Sequence, residues 1–252
     1  MIKRIFVSEI DRTNLSKFKT TEAQDKRIDY SKVVVNKPWG YEYLMFENDY
    51  VAIWILHLKK GHQNSLHCHP RKKTSMMVLS GKIRASTLTD WFELKELDGL
   101  MYEEGLFHTQ KALSNNVFLL EIETPPIKKD LVRLRDSYGR EGKAYEGKNK
   151  LSKNISKFNY IFFEYSSIQK GLRKKINDTE IMIKKCSFDL LEKEVDFVDK
   201  KKVYSILEEK VIDSKHRELF GVGSIFHPAH VRKFDTIRLF KNCLLLSIEK
   251  AS

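Results

Sequence analysis

Gly61-His-Gln-Asn-Ser-Leu-His67-Cys-His69 is the stretch that decides how this chain is interpreted. Two histidines at i and i+2 of one β-strand point to the same face of a sheet. A third histidine on another strand, His108, can complete a facial cluster of imidazoles. Zinc, iron, nickel and manganese all accept such a cluster. The sequence therefore predicts a divalent-metal site held by His67, His69 and His108.

Length and composition favour a globular protein with a sizeable core. The chain has 252 residues, of which 41% are hydrophobic and 32% are charged. This length suits one large β-domain or two small ones. No apolar run approaches the roughly 20 residues that span a bilayer, and the apolar part of the N-terminal segment is too short for a signal peptide. We therefore expect a cytoplasmic protein without a membrane span.

The chain is basic, with 46 Lys and Arg against 34 Asp and Glu and a net charge of +12. A basic surface can attract nucleic acid, anionic membranes or phosphorylated small molecules. Here the lysines are spread along the chain and mixed with acidic residues, and no helix-turn-helix, zinc-finger or aromatic-basic RNA motif is present. We therefore expect no nucleic-acid partner.

Short strand-like segments follow one another at close intervals through residues 33–142. Gly81, Gly99 and Gly105 separate them, as turn residues do. This rhythm predicts an all-β sandwich or barrel, the jelly-roll type included. After Pro125-Pro126, residues 129–142 lack strand alternation and are predicted as a short helix and loop. The predicted strands are Tyr41–Phe46, Val51–Leu58, Thr74–Leu79, Lys82–Leu88, Trp91–Leu97, Met101–Glu103, His108–Ala112 and Val117–Glu123.

The composition changes again after residue 142. Residues 143–157 are rich in Gly, Lys, Asn and Ser and are predicted to be a linker. A second β-series follows in residues 158–252, and residues 1–32 are predicted to be an N-terminal extension. The predicted strands of the second series are Tyr160–Tyr165, Glu180–Lys185, Lys202–Glu208, Ser224–Phe226 and Leu244–Glu249.

The spacing Gly-x5-His-x-His-x4-Thr-x6-Gly, from Gly61 to Gly81, resembles the first motif of the cupin family. Gly105-Leu-Phe-His108 keeps the Gly-x2-His end of the second cupin motif. Cupins usually carry Glu as a fourth ligand, where this chain has Thr74. The resemblance implies that residues 33–142 form a cupin jelly-roll barrel.

Residues 221–230 have the look of a second cupin motif, with a Gly, apolar residues and Pro-x-His, but no His-x-His precedes them. The resemblance thus implies that residues 158–252 form a degenerate second cupin, which would make the chain a bicupin. A β-extension of another type is the alternative.

Two flanking motifs are more specific. Lys37-Pro-Trp-Gly-Tyr-Glu42 looks like the Arg-Pro-Trp-Gly-x-x-Glu opening of the type II mannose-6-phosphate isomerase cupins. Asp130-Leu-Val-Arg133-Leu-Arg-Asp136-Ser-Tyr138-Gly-Arg140 is similar to that family's closing Asp-Ile-Val-Arg-x-x-Asp-x-Tyr-Gly-Arg. The family converts an aldose phosphate to a ketose phosphate by moving a proton between neighbouring carbons through an enediolate. Such chemistry needs an oxyanion stabiliser, a base and cations for the phosphate.

The resemblance also implies roles for the basic residues of the closing motif. Arg133 and Arg140 are candidates for phosphate binding, because guanidinium groups suit oxyanions. Tyr138 and Lys73 are further substrate-binding candidates. An ion-pair network of Arg133, Asp136 and Arg140 that holds the segment against the barrel is an equal alternative.

Two residues are candidates for catalysis. Glu103 precedes the third histidine closely and is a candidate base or displaced ligand, with an exposed turn residue as the alternative. His57 lies inside an apolar strand and is either a core group or a group of the site.

The resemblance as a whole implies a metal-dependent isomerase or epimerase of a sugar phosphate or activated sugar in glycan precursor synthesis. The expected cofactor is a divalent ion (zinc, iron, manganese or nickel). The expected partners are a sugar phosphate or nucleotide sugar and a second copy of the chain in a homodimer. One alternative is a cupin that binds a sugar or nucleotide sugar without catalysis. Another is an Fe(II)-dependent cupin oxygenase.

Overall fold

The computed structural model describes residues 1–18, 29–141, 143, 148–186, 201–213, 215–228, 237–239 and 243–251. Strands dominate this part of the chain, and its helices are α1 (Glu9–Leu15) and three short 3-10 helices at Lys148–Lys150, Ile155–Lys157 and Tyr165–Lys170. Among the described residues, no helix has the length and apolar character needed to cross a membrane.

The strands are β1 (Ile2–Ile5), β2 (Val34–Lys37), β3 (Gly40–Glu47), β4 (Ala52–Leu58), β5 (Leu66–Cys68), β6 (Lys73–Ser80), β7 (Lys82–Thr87), β8 (Trp91–Lys95), β9 (Gly99–Tyr102), β10 (His108–Ala112), β11 (Val117–Thr124), β12 (Val132–Arg135), β13 (Leu151–Ser152), β14 (Leu172–Ile176), β15 (Thr179–Cys186), β16 (Lys202–Glu208), β17 (Val211–Asp213), β18 (Glu218–Phe220), β19 (Ile225–Phe226), β20 (Ile237–Leu239) and β21 (Cys243–Lys250).

Two facing sheets form the N-terminal β-domain. The larger has eight strands in the order β1-β9-β6-β11-β4-β3-β2-β13, and the smaller has five in the order β12-β5-β10-β7-β8. All pairings are antiparallel except that of β1 with β9. From β4 to β12 every step along the chain except β7 to β8 passes from one sheet to the other. The chain therefore closes into a jelly roll, as the strand rhythm predicts.

The space between these two sheets is filled by alternate residues of each strand. On β4, Trp54, Leu56 and Leu58 point inward. Ile83 and Leu94 come from the smaller sheet to meet them. This interior cluster is apolar over most of its length, and the histidines and several charged residues occupy one end of it. The barrel is therefore a packed core with a polar pocket.

The outer face of the larger sheet is also covered, by a third sheet of order β14-β15-β21-β16-β19. Ile53 and Ile55 of β4 face this third sheet, where Ile181 and Leu246 belong to the same buried cluster. Across the contact, the Ser75 hydroxyl donates to the Gly223 carbonyl at 2.6 Å. Burial on both faces explains why β3, β4, β6 and β11 have long apolar runs rather than a clean alternation.

A three-stranded sheet, β18-β17-β20, completes the described C-terminal part. The all-β class is confirmed for both halves of the chain. A complete second cupin barrel in residues 158–252, with the predicted domain boundaries, stays a prediction. Of the motif at residues 221–230, the last two residues, including His230, lie outside the described residues.

Two local predictions were wrong. Residues 160–164 form no strand, although Phe163 is buried and its N–H donates to the Met45 carbonyl at 2.8 Å. Residues 132–135, predicted as helix or loop, form β12, which pairs with β5 across more than 60 positions of sequence. The N-terminal extension of residues 1–32 stays a prediction, and its strand β1 joins the barrel sheet by pairing with β9.

The turn at Gly40 gives a stability prediction. Gly40 has φ +150°, and a Cβ there would lie 1.9 Å from the His57 carbonyl oxygen. We expect Gly40→Ala to lower the free energy of unfolding by about 3 kcal/mol, since backbone must move to relieve the overlap. Gly61→Ala is the control: its φ is +80° with nothing within 4 Å of the added Cβ, so only about 1 kcal/mol of left-handed strain is expected. Urea unfolding of both variants measures the difference, and equal losses would contradict it.

Candidate metal centre

The smaller sheet sets the three histidines side by side. His67 of β5 is the cross-strand partner of His108 on β10, and on its other side it is the partner of Arg133 on β12. Directly opposed residues of paired strands share a face, so these three side chains form a row. His69 follows two residues after His67 on the same face, just beyond the end of β5. One ring nitrogen from each histidine lies within 4.8 Å of the others.

Hydrogen bonds to the backbone fix the orientation of all three rings. The His67 Nδ1 lies 2.7 Å from the Ser65 carbonyl, the His69 Nδ1 lies 2.6 Å from the Asp130 carbonyl, and the His108 Nδ1 lies 3.0 Å from the Leu106 carbonyl. A carbonyl only accepts, so each Nδ1 carries the hydrogen and each Nε2 keeps its lone pair. Metal-binding histidines in proteins are usually oriented in this way, by a hydrogen bond from the ring nitrogen that does not bind the metal.

The environment of the rings keeps them neutral. Burial lowers the pKa of His67 and of His69 well below the ordinary value, and it lowers the pKa of His108 to about 4. Neutral imidazole is the form that binds a metal ion. The His69 Nε2 is buried and has no hydrogen-bond partner in the described structure. An unpaired buried nitrogen in a cluster of this kind fits a divalent ion as its missing partner.

Two observations decide the fold. The facing sheets have the strand order of a jelly roll, and the histidines of the two cupin-like motifs converge inside one end of the barrel. The chain has a cupin fold. The predicted position of all three histidines within that fold is confirmed, while the binding of a metal ion by them stays a prediction.

Comparisons with known proteins are distant. No protein-family model and no curated protein matches the chain. Among solved structures, KdgF from Halomonas sp. is 14% identical, with 36% of this chain and 84% of that chain covered and a TM-score of 0.35. An uncharacterised double-stranded β-helix protein from Klebsiella pneumoniae is 14% identical, covering 44% and 90%, with a TM-score of 0.35. An RmlC-like cupin from Shewanella frigidimarina is 15% identical, covering 36% and 82%, with a TM-score of 0.34.

The opposite side of this cupin site is formed by the larger sheet and is rich in charge. Glu121 and Glu123 are alternate residues of β11 and therefore point to the same face, into the barrel. The Glu121 Oε1 lies 3.8 Å from the His69 Nε2. Glu42 of β3 joins them in lining the pocket. Three carboxylates thus face three imidazoles.

Lysines accompany two of these carboxylates. The buried Lys72 Nζ lies 2.8 Å from the Glu123 Oε1. The Lys128 Nζ lies 2.9 Å from the Glu42 Oε1 and 3.6 Å from the Glu123 Oε1. Lys37 approaches Glu42 at 3.5 Å. Cations and carboxylates therefore alternate along the pocket, from Lys72 to Lys37.

The charges shift one another's pKa values. Burial, together with the neighbouring Glu123, raises the pKa of Glu121 to about 7. Burial alone would lower the pKa of Lys128, but Glu123 and Glu42 raise it above its ordinary value. Lys128 therefore stays charged inside the barrel, where it also lies 3.4 Å from the centre of the Trp54 ring.

Two predicted substrate-binding residues line the same pocket. Arg133 is buried, and its Nη1 donates to the Lys143 carbonyl at 2.6 Å. Arg140 is held by Asp136, with nitrogen–oxygen distances of 2.7 and 3.1 Å. The ion pair of the alternative interpretation is therefore present for Arg140 and Asp136, and both arginines also face the histidine site.

The other two predicted substrate-binding residues lie elsewhere. Tyr138 lines a neighbouring groove, where its hydroxyl lies 3.1 Å from the His62 Nδ1. Lys73 is exposed and borders a separate pocket on the outer face of the larger sheet. Lys72, the residue before it, is the lysine that enters the barrel. Strand alternation sends the two neighbours to opposite faces.

The two catalytic candidates are also not brought to the histidines. Glu103 borders the same outer pocket as Lys73, because it follows Tyr102, whose ring points inward and stacks on His108 at 4.2 Å. His57 points to the outer face of β4, where its ring lies 4.7 Å from Tyr41 and 4.8 Å from Phe118. A role for either residue at this site is therefore not supported, and the core interpretation of His57 fits its contacts.

Several carboxylates and lysines that reach the site were given no role from the sequence. Lys37 and Glu42 were recognised only as the ends of the opening motif, and Lys72, Glu121, Glu123 and Lys128 were not singled out. One signal was present: Glu121 and Glu123 are charged residues at i and i+2 in an otherwise apolar strand, which requires one face of that strand to be polar. Glu42 gives the same signal within β3.

Proposed function

We propose that this chain is a metal-dependent isomerase or epimerase of a sugar phosphate or activated sugar. The observation that carries the proposal is a cluster of three oriented, neutral histidines, two of which line a pocket. Carboxylates and the cations Arg133, Arg140, Lys37 and Lys128 line the rest of that pocket. His67, His69 and His108 would hold a divalent ion, which supplies Lewis acidity to a sugar oxygen when bound.

Anion binding is the task of the basic residues. Arg133 and Arg140 supply guanidinium groups, which match phosphate oxygens better than ammonium groups do. Lys128 adds a charge held inside the barrel by its neighbours. Arg133 lies beside His67 in the row on the smaller sheet. A phosphorylated sugar would therefore have its phosphate at the arginines and its carbonyl end at the neighbouring imidazoles.

Proton transfer falls to a carboxylate of the larger sheet. The Glu123 Oε1 is fixed by Lys72, while its Oε2 is buried and accepts no hydrogen bond in the described structure. The Glu123 Oε2 is therefore the oxygen that we assign to take a proton from the carbon next to the carbonyl and return it to the neighbouring carbon. A positioned group of this kind contributes about 100- to 10,000-fold to the rate.

The test is deuterium incorporation in heavy water. Protein loaded with zinc, manganese, cobalt, nickel or anaerobic iron(II) is mixed with hexose 6-phosphates and nucleotide hexoses, and exchange at C2 and the neighbouring carbons is followed by proton NMR. We expect exchange with at least one metal and sugar. Absence of exchange with every pair would overturn the enzyme proposal, and sugar binding without exchange would favour a non-catalytic cupin. Oxygen uptake with iron(II) would favour the oxygenase.

Glu123→Gln should lower the exchange rate by at least about 100-fold while bound metal is retained, because the amide cannot take the proton. Glu103→Gln is the matched control, since it makes the same change on the outer face, and it should exchange at the wild-type rate. If both variants exchanged equally fast, Glu123 would not be the base.

A further inference from the structure

The three histidines come from one side of the barrel, which leaves the other side of the centre to the larger sheet. His67 and His108 lie on paired strands of the smaller sheet, and His69 follows them. All three rings are neutral, so a divalent ion bound by them alone would keep its full charge in a buried place. Such a charge is costly unless an anionic group lies beside it. A carboxylate from the larger sheet would offset this charge.

Glu121 is the carboxylate that reaches the histidines. Its Oε1 lies 3.8 Å from the His69 Nε2. Ligands about 2.0–2.2 Å from a tetrahedral zinc ion lie about 3.4 Å from one another. The observed separation therefore exceeds the spacing of two ligands on one ion by a few tenths of an ångström. A change in the side-chain angles of Glu121 can supply this without movement of β11.

The other carboxylates of the pocket are engaged by lysines. The Glu123 Oε1 lies 2.8 Å from the Lys72 Nζ, and the Glu42 Oε1 lies 2.9 Å from the Lys128 Nζ. Thr74 also faces the barrel interior, with a buried hydroxyl that makes no hydrogen bond in the described structure. A neutral hydroxyl is a weak metal ligand and compensates no charge. Glu121 is the group that has both the charge and the proximity.

We propose that Glu121 is the fourth protein ligand of the metal centre, supplied by β11 on the sheet opposite the histidines. This inference rests on the proposed metal site. It gives Glu121 and Glu123 different tasks, although they lie two residues apart on one face: Glu121 holds the ion and Glu123 moves the proton.

Cobalt(II) and zinc(II) binding to the purified full chain tests the assignment. Glu121→Gln keeps the shape of the side chain and removes its charge. We expect it to weaken cobalt and zinc binding by at least the roughly 10- to 100-fold that loss of an outer-sphere partner costs. We also expect a changed visible absorption spectrum of the bound cobalt, because water replaces the carboxylate. Neither measurement depends on turnover.

Glu123→Gln is the matched control, since it removes the same charge from the same face of β11 without contacting a histidine. It should bind cobalt with the wild-type spectrum and lose clearly less affinity than Glu121→Gln, as expected of a charge that acts on the ion only from a distance. Glu121→Asp, which keeps the charge on a shorter side chain, should fall between wild type and Glu121→Gln. Circular dichroism of each variant establishes that it is folded.

The outcomes separate this inference from the proposed function. If wild-type protein binds metal and folded Glu121→Gln binds it equally well with an unchanged cobalt spectrum, Glu121 is not a ligand and the three-histidine site stands. If Glu121→Gln and Glu123→Gln weaken binding equally, the effect is one of charge and the assignment is likewise overturned. If wild-type protein takes up neither metal, both the inference and the metal-dependent function fail.

Discussion

His67→Ala is expected to leave the protein with at least about 100-fold weaker binding of zinc and cobalt. His67 lies at the centre of the row that runs from Arg133 to His108. The variant removes one of three neutral nitrogens that would bind the ion. The loss of metal affinity should therefore exceed the 10- to 100-fold that is typical when an outer-sphere partner is removed. Equilibrium dialysis against each metal, followed by elemental analysis, measures the change.

His57→Ala is the matched control for this variant. It removes the same side chain from the neighbouring larger sheet, but from the outer face, where the ring packs on Tyr41 and Phe118. It should be less stable, because this packing is lost, and should bind both metals with wild-type affinity. Equal metal binding by wild-type and His67→Ala protein would remove the basis of the metal centre.

Local patterns in the sequence predicted the barrel well. The eight strands predicted between residues 41 and 123 all exist, with ends that shift by at most a few residues. Each is an apolar segment between turn residues, so the information needed to locate it lies within the segment itself. The histidines were predicted for the same reason, because alternation along one strand places His67 and His69 together.

Pairing over long distances was not predictable in this way. β12 has too few residues for a clear alternation and becomes a strand because the edge of β5 is free to pair with it. Its formation explains what the closing motif contributes: the Asp130 carbonyl fixes the His69 ring, and Arg133 lies beside His67. The motif was recognised in the sequence, but its contact with the histidines depends on the fold.

Whether the other candidate residues reach the site depends on which face of the strand they occupy. Lys73 and Glu103 lie close in sequence to residues of the site, and both point outward. Their inward neighbours are Lys72 and Tyr102, of which the first pairs with Glu123 and the second stacks on His108. Because a shift of one residue exchanges the two faces, proximity in sequence is a poor guide to a site inside a barrel.

Glu123→Leu should lower the free energy of unfolding by about 3–5 kcal/mol, since it leaves the Lys72 charge buried without the carboxylate beside it. The Lys72 and Glu123 side chains are 0% and 2% exposed, and their charged atoms lie 2.8 Å apart. The double variant Lys72→Met with Glu123→Leu should recover most of this loss, because it removes both charges and keeps the volume filled. Urea unfolding of the two single variants and the double variant forms the cycle.

Arg84 and Glu93 provide the control, because their charged atoms also lie 2.8 Å apart, but with side chains that are 47% and 55% exposed. Glu93→Ala should cost at most about 1 kcal/mol, since water screens and solvates the remaining arginine. A double variant at Lys72 and Glu123 that is as unstable as the sum of the single variants would contradict a loss caused by the unpaired charge. If the double variant recovers most of the loss, the intact pair adds little net stability, and the cost of the single variants comes from the charge that each leaves unpaired.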